Sequence, residues 1–121
     1  MLIRDLATCK PFTAGDMSTL KELLNPESDD IEAAYSLAHA TVEPGRTTLK
    51  HSLSASEVYF VLKGQGQVRL GNRSRRVRPG QAVYIPPNEL QQITNTGSTD
   101  LEFLCIVSPA WKPEYEKIIH G

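Results

Sequence analysis

The sequence predicts an all-β domain, and three features carry this prediction. Its apolar stretches are short, several of them alternate with polar residues, and turn-forming pairs such as Pro44-Gly45, Gly71-Asn72 and Pro79-Gly80 separate them. These turns recur about every 8 to 12 residues, a spacing typical of antiparallel sandwiches and closed barrels. At 121 residues the chain has the length of one domain, so we expect a single barrel.

The first part of the chain, residues 1–32, is predicted to be an N-terminal arm with one short helical segment. Three leucines recur at helical spacing within residues 16–25. Asp16 or Thr13 is a candidate N-cap, and Pro26 disfavours a helical conformation for the residue before it. We therefore expect a short helix or a helical turn that ends before this proline.

The barrel itself is predicted over residues 33–109, with a C-terminal tail over residues 110–121. The expected strands lie within residues 33–42, 56–64, 66–73, 75–89, 90–97 and 100–109, each bounded by turn residues. In the tail, Trp111 and Tyr115 are expected to hold one helical turn against the barrel. His120, next to the C-terminus, is expected to be exposed to solvent.

Charge and composition exclude several classes of function. The chain has 13 Lys+Arg against 14 Asp+Glu, so it lacks the positive charge that general binding to nucleic acid or to an anionic membrane requires. No apolar run approaches the roughly 20 residues of a membrane-spanning helix, and the first residues show no signal peptide. Cys9 and Cys105 are too few for a disulfide framework, although one bridge between them stays open. We expect a cytoplasmic protein.

A basic cluster follows the Gly71-Asn72 turn and comprises Arg73, Arg75, Arg76 and Arg78. It is either a site for an anionic ligand or the solvent-facing side of a hairpin. Charged side chains on an exposed strand also prevent unwanted strand pairing. The second interpretation is favoured because runs of charge are usually solvated.

The residues suited to chemistry lie near the centre of the chain. His51 follows a Pro-Gly turn, and Glu57 opens a strongly apolar strand. Side chains alternate across a strand, so Glu57 and Tyr59 share one face. A carboxylate on such a strand must reach water or have a partner in the interior.

Gly45, His51, Glu57 and Gly64 stand at the spacing of a known pattern, which resembles the first motif of the cupin superfamily. Residues 79–95 resemble its second motif. The resemblance extends from about residue 35 to residue 112, and it indicates a small single-domain cupin. It implies a jelly-roll barrel, also called a double-stranded β-helix, whose mouth commonly holds one divalent metal on three histidines and a glutamate.

Two positions depart from the family's ligand pattern. Leu53 stands where the second histidine is expected, and Gln91 stands where the histidine of the second motif is expected. The resemblance therefore implies a reduced metal site on His51, Glu57 and Gln91, for Zn, Fe, Ni or Mn. Binding should be weaker than in the four-ligand family, because a glutamine oxygen is a weaker donor and leucine is none. His39 is expected to face away from the barrel interior, although a role as the missing ligand stays open.

Two alternatives to a metal site remain open at this stage. One is a metal-free site in which Glu57 hydrogen-bonds His51 or Gln91, and its pair with the His51 imidazole would be a plausible acid–base dyad. The other is an inert or purely binding cluster of the same groups. In each case, strand alternation and the resemblance imply a pocket lined by four further residues, namely Tyr59, Ile93, Phe103 and Cys105.

The resemblance implies two classes of function. The first is a metal-dependent enzyme, an isomerase or epimerase or a dioxygenase, in which the metal acts as a Lewis acid on a small polar metabolite. The second is a metal-free cupin that binds or senses a small molecule without catalysis. In both cases small cupins commonly form homodimers, so a homodimer is expected.

Overall fold

Two facing antiparallel sheets make up the fold in a computed structural model, which describes residues 1–119. The prediction that His120 is exposed therefore lies outside the described residues. Over these residues the larger sheet contains, in spatial order, β1 (Phe12–Thr13), β2 (Thr19–Leu24), β3 (Ser36–Val42), β10 (Leu101–Ser108), β5 (Ser56–Lys63) and β8 (Ala82–Ile85). The smaller sheet contains β11 (Glu116–Ile118), β4 (His51–Leu53), β9 (Gln91–Asn95), β6 (Gly66–Leu70) and β7 (Arg73–Val77). The predicted all-β jelly-roll barrel is confirmed.

The helix predicted within residues 16–25 was wrong. Residues 19–24 form β2, which pairs antiparallel with β3, and the register shifts between Glu22 and Leu24. Such a bulge inserts one extra residue, which reconciles the helical spacing of the leucines with a strand. The pairing with β3 supplies backbone hydrogen bonds that outweigh a weak local helix preference. The helical turn of the N-terminal arm lies earlier, at Leu6–Thr8.

The tail adds a strand that the sequence pattern did not predict. The expected helical turn is present at Pro113–Tyr115, and Trp111 and Tyr115 pack against the buried side chains of Leu53 and Val107. After this turn, β11 pairs with β4 in the smaller sheet. Strands β1, β2 and β11 thus extend the two sheets beyond residues 33–109.

The main hydrophobic core lies between the sheets and draws on both of them. Val61 of β5, Ile93 of β9, and Leu101 and Phe103 of β10 are each at most 2% exposed. Gly64 closes the turn after β5 with a φ of +87°, and a Cβ atom there would lie 2.6 Å from the carbonyl oxygen of Asp100. Only glycine meets both requirements, so this turn brings β5 close to the start of β10.

The basic cluster lies on the exposed side of a hairpin. Strands β6 and β7 pair across the Gly71-Asn72 turn, where Gly71 has a φ of +58°. All four arginines of the cluster are exposed. Within residues 1–119, no helix has the length and apolar character that crossing a bilayer requires.

Candidate functional site

A cavity of about 380 Å³ opens inside the barrel, between residues of both sheets, the β1–β2 hairpin and the tail. This volume is within the range of small-molecule sites. Its apolar wall includes Phe12, Leu20, Ala38, Ala40, Leu53, Phe103, Cys105 and Trp111, and its polar wall includes Asp16, Glu22, His51, Glu57, Tyr59 and Glu116. The cavity therefore combines a largely apolar surface with a few convergent polar groups.

His51 presents one ring nitrogen to this cavity. It starts β4, is 3% exposed, and its Nδ1 lies 2.9 Å from the backbone oxygen of Leu49. A carbonyl oxygen only accepts hydrogen bonds, so Nδ1 carries a hydrogen. In the neutral ring Nε2 is then an acceptor, and it lies 3.8 Å from Oδ2 of Asp16. The geometry leaves His51 Nε2 free to accept a proton or a ligand's hydrogen bond.

Glu57 is a buried carboxyl group on the cavity wall. It is 6% exposed, and its Oε1 has no hydrogen-bond partner among residues 1–119. Burial raises the pKa of Glu57 to about 8, and the nearby charges of Asp16 and Glu116 act in the same direction. The Gln91 carboxamide opposes the rise in this pKa. At neutral pH Glu57 is therefore mainly a protonated carboxyl that can donate a hydrogen bond.

Gln91 lies beneath the cavity wall and does not line the cavity. It is 1% exposed, and its Oε1 accepts a 2.5 Å hydrogen bond from the Tyr59 hydroxyl. The Nε2 of Gln91 has no hydrogen-bond partner in the described structure. Although Gln91 is close enough to influence Glu57, the two side chains do not meet in hydrogen-bond geometry. Burial also raises the pKa of Tyr59 well above its usual value, so this hydroxyl keeps its proton.

The remaining predicted lining residues divide into two groups. Tyr59, Phe103 and Cys105 line the cavity, and the Tyr59 and Phe103 rings lie 4.6 Å apart. Burial raises the pKa of the Cys105 thiol well above its usual value, so Cys105 is a neutral part of the wall. Ile93 differs from the expectation, because it is fully buried in the core and is not among the cavity residues.

His39 faces away from the cavity, as its position between Ala38 and Ala40 predicts. Its Nε2 lies 3.0 Å from Oε1 of Glu102 on the neighbouring strand β10. Ala38 and Ala40 line the cavity instead. The structure therefore places His39 where it does not supply the missing ligand. Cys9 and Cys105 are both free thiols, so the bridge left open between them is absent from the structure.

Two carboxylates of the site were missed by sequence reasoning. Asp16, a candidate helix cap in the sequence, is buried in the β1–β2 turn, where its Oδ1 accepts hydrogen bonds from the backbone nitrogen and hydroxyl of Ser18 at 3.0 and 2.6 Å. Met17 has a φ of +75° in this turn. Glu116 opens β11, opposite Leu53 of β4. An Asp-x-Ser sequence is compatible with an Asx turn as well as with a helix cap, so it signals Asp16 only weakly.

A family comparison identifies the barrel. A family model described as a cupin domain matches residues 38–107, which is more than half of the chain. The chain belongs to the cupin family. An uncharacterized protein of Methanocaldococcus jannaschii is 35% identical to this cupin over 111 residues, which make up 91% of this chain and 88% of that protein.

Other similar proteins have more specific descriptions. The oxalate-binding protein of Thermotoga maritima is 30% identical over 71 residues, 58% of this chain and 59% of its own length. Among solved structures, the polyketide cyclase RemF from Streptomyces resistomycificus has a TM-score of 0.83 at 20% identity, over 100% of this chain and 87% of that one. At this identity the likeness shows a shared fold and no more.

Cupins commonly bind divalent metals, but the donor set of this cupin is a poor one for such an ion. The Oε1 of Gln91 is already engaged by Tyr59, and Leu53 offers no donor atom. Within residues 1–119, no three His, Cys, Asp or Glu side chains come together in a metal-binding arrangement. A protein site for zinc or a similar ion usually needs at least three ligands.

Proposed function

We propose that this cupin binds a small organic molecule in the barrel cavity. The observation that carries the proposal is that buried Glu57, whose Oε1 has no partner among residues 1–119, lines a largely apolar cavity. Leaving a buried polar atom without a partner costs free energy, and a ligand group that meets it recovers that cost. His51 Nε2 offers a second polar contact on the same wall.

Filling the cavity tests this proposal. Ala38 lines the cavity, so Ala38→Phe is expected to occupy part of it, whereas Ala7→Phe adds the same bulk at an exposed position of the turn at Leu6–Thr8. The probes are indole, phenol and 2-phenylethanol, and binding is followed by NMR shifts of the backbone amides of β5 and β10. Wild type and Ala7→Phe should show saturable shifts, and Ala38→Phe should not. The absence of shifts with all three probes, or equal shifts in Ala38→Phe, contradicts the proposal.

A second candidate function is proton transfer on the bound molecule, and the placement of Glu57 and His51 on one cavity wall favours it. A protonated Glu57 carboxyl can donate a proton, and Nε2 of the His51 tautomer set by Leu49 can accept one. A pair with opposite roles is what general acid–base catalysis requires. The isomerase and epimerase activities suggested by the family resemblance depend on such transfers.

The compound 5-nitrobenzisoxazole tests this second candidate without knowledge of the natural substrate. A base removes its C3 proton while the N–O bond breaks, which yields a coloured cyanophenolate. We expect His51→Gln to lower the rate by about tenfold or more, since a positioned base contributes at least that much. His39→Gln is the matched control, because His39 lies on the other face of the sheet. Equal rates in wild type and His51→Gln contradict the assignment of His51 as a base.

The metal predicted on His51, Glu57 and Gln91 stays a prediction, and the hydrogen bond between Tyr59 and Gln91 weighs against it. Titration of the purified protein with Zn²⁺, Fe²⁺, Ni²⁺ or Mn²⁺ tests it. One bound ion per chain, lost in His51→Ala, would restore the metal-dependent function to first place. An unchanged melting temperature with every ion would reject it.

We also propose a homodimer formed through the outer face of the larger sheet. Phe60, Leu62 and Tyr84 are exposed on this face, and Leu104 of β10 lies opposite Phe60 in the strand register. Contiguous exposed apolar surface of this kind marks interaction sites. Phe60→Glu should convert a dimer to a monomer in sedimentation velocity, whereas Gln67→Glu on the smaller sheet should not. A monomeric wild type contradicts the proposal.

The predicted cytoplasmic location also stays a prediction. Its support is that both cysteines are free thiols, which suits a reducing compartment.

A further inference from the structure

The charges around the cavity are of one sign. Among the described lining residues, the acidic side chains are Asp16, Glu22, Glu116 and the mainly protonated Glu57, and none is lysine or arginine. Arg4 is close enough to Glu22 for their charges to interact, but its guanidinium is already paired with Asp29 at 3.0 Å and does not line the cavity. Among the described lining residues, His51 is the one side chain able to carry a positive charge, and it lies 3.8 Å from Asp16.

Two further observations support the view that this acidic surface belongs to a ligand site. Glu57 lines the cavity and is nearly completely buried, and its Oε1 has no partner among residues 1–119. The acidic groups also share the cavity with four aromatic rings, those of Phe12, Tyr59, Phe103 and Trp111. Aromatic faces attract cations, and this attraction is strongest where water is excluded.

We propose that the ligand of this cavity is a small organic cation with an apolar body, such as a primary amine attached to a ring. This inference rests on the proposed small-molecule site and specifies the chemical class of its ligand. The carboxylates supply the charge that a buried ammonium group needs, and the aromatic rings pack against both the body and the cation. A carboxylate or phosphate ligand meets like charge without a basic residue to offset it, so the same cavity rejects it.

A matched set of probes separates ligand charge from ligand shape. The probes 2-phenylethylamine, 2-phenylethanol and 3-phenylpropionate share one apolar body and carry a positive, a neutral and a negative end at about pH 7.5. Their binding to the full chain is measured by the NMR titration described above. The amine should bind about tenfold more tightly than the alcohol, because charge attraction and cation–π contact both act on it, and the carboxylate should give no saturable shift.

Variants of two neighbouring glutamates assign the preference to the cavity. Glu116 lines the cavity, whereas Glu114 is exposed in the turn before β11. Glu116→Gln removes one cavity charge while keeping the side-chain shape, so it should lower the affinity for the amine several-fold and leave the alcohol unchanged. Glu114→Gln should alter neither. Equal losses in the two variants would show that the charge effect does not arise in the cavity.

The outcomes distinguish this inference from the proposed function on which it rests. If the alcohol binds and the amine binds no more tightly, or if the carboxylate binds best, the cation preference is wrong and the small-molecule site stands. If none of the three probes gives a saturable shift, the small-molecule site and the cation preference both fall.

Discussion

Glu57 should make the stability of this protein fall as the pH rises through the neutral range. The folded state holds its carboxyl protonated with a pKa of about 8, whereas the ordinary pKa of this group is 4.5. Below the lower value the group is protonated in both states, and the folded state keeps its full stability. Between the two values the unfolded chain loses the proton and the folded chain keeps it. Because the folded state then binds more protons, the free energy of unfolding decreases as the pH rises, until the folded group also ionises.

The size of this effect follows from the gap between the two pKa values. Each unit of difference corresponds to about 1.4 kcal/mol, so the penalty grows by roughly 4 kcal/mol between about pH 5 and pH 8. Glu57→Gln removes the ionisable group and keeps its shape and one acceptor oxygen. The variant should therefore be more stable than wild type at pH 8, and the difference should shrink toward pH 5.

Urea denaturation at several pH values between about 5 and 8 measures the effect. The difference between wild type and Glu57→Gln isolates Glu57, because the other titrating groups are common to both proteins. Glu114→Gln, at an exposed position, is the control and should track wild type throughout. Parallel stability curves for wild type and Glu57→Gln would refute the reasoning, since they would mean that Glu57 ionises alike in the folded and unfolded chains.

Three further predictions concern single contacts. Tyr59→Phe leaves the Oε1 of Gln91 without its donor in the core, so it should lower the free energy of unfolding, measured by urea denaturation, by about 1–3 kcal/mol. A negligible loss would mean that this hydrogen bond makes no net contribution to stability. Gly64→Ala should destabilise the protein more than Gly80→Ala by the same measurement. Both glycines have a positive φ, which costs an alanine about 1–2 kcal/mol at either position. Of the two, only Gly64 would also bring the new Cβ atom against backbone atoms, so an equal loss of stability in the two variants would contradict this clash. Leu53→His adds an imidazole to the cavity wall, so Zn²⁺ should raise the melting temperature of this variant and leave Leu53→Asn unmoved; no shift in Leu53→His would show that position 53 does not reach the polar wall.

Much of the barrel could be predicted from local signals. The Gly71-Asn72 turn depends only on adjacent residues, so it predicts the hairpin of β6 and β7 without knowledge of the rest of the chain. Alternation along β5 likewise predicts that Glu57 and Tyr59 share one face. Combined with the family resemblance, alternation along β3 also predicted that His39 faces away from the barrel interior, and the structure confirms it. Local patterns are reliable here because each strand alternates its side chains whatever its partner is.

The edges of the two sheets could not be predicted in this way. β2 carries a helical spacing of leucines and becomes a strand because β3 offers it an edge to pair with. β11 is a three-residue strand that exists only where β4 lies beside it. Both depend on pairing between segments that are distant in sequence, and no local pattern contains that information.

By itself, the sequence determined the strands and their turns, because turn chemistry and side-chain alternation act between near neighbours, and its resemblance to the cupins implied the barrel with His51 and Glu57 directed inward. Only the tertiary structure decided what surrounds these two groups. It brought Asp16 and Glu116 to the cavity from opposite ends of the chain, and it engaged Gln91 with Tyr59 beneath the wall. The charge of the cavity depends on all the segments that line it, and these segments come together only when the two sheets pack against each other.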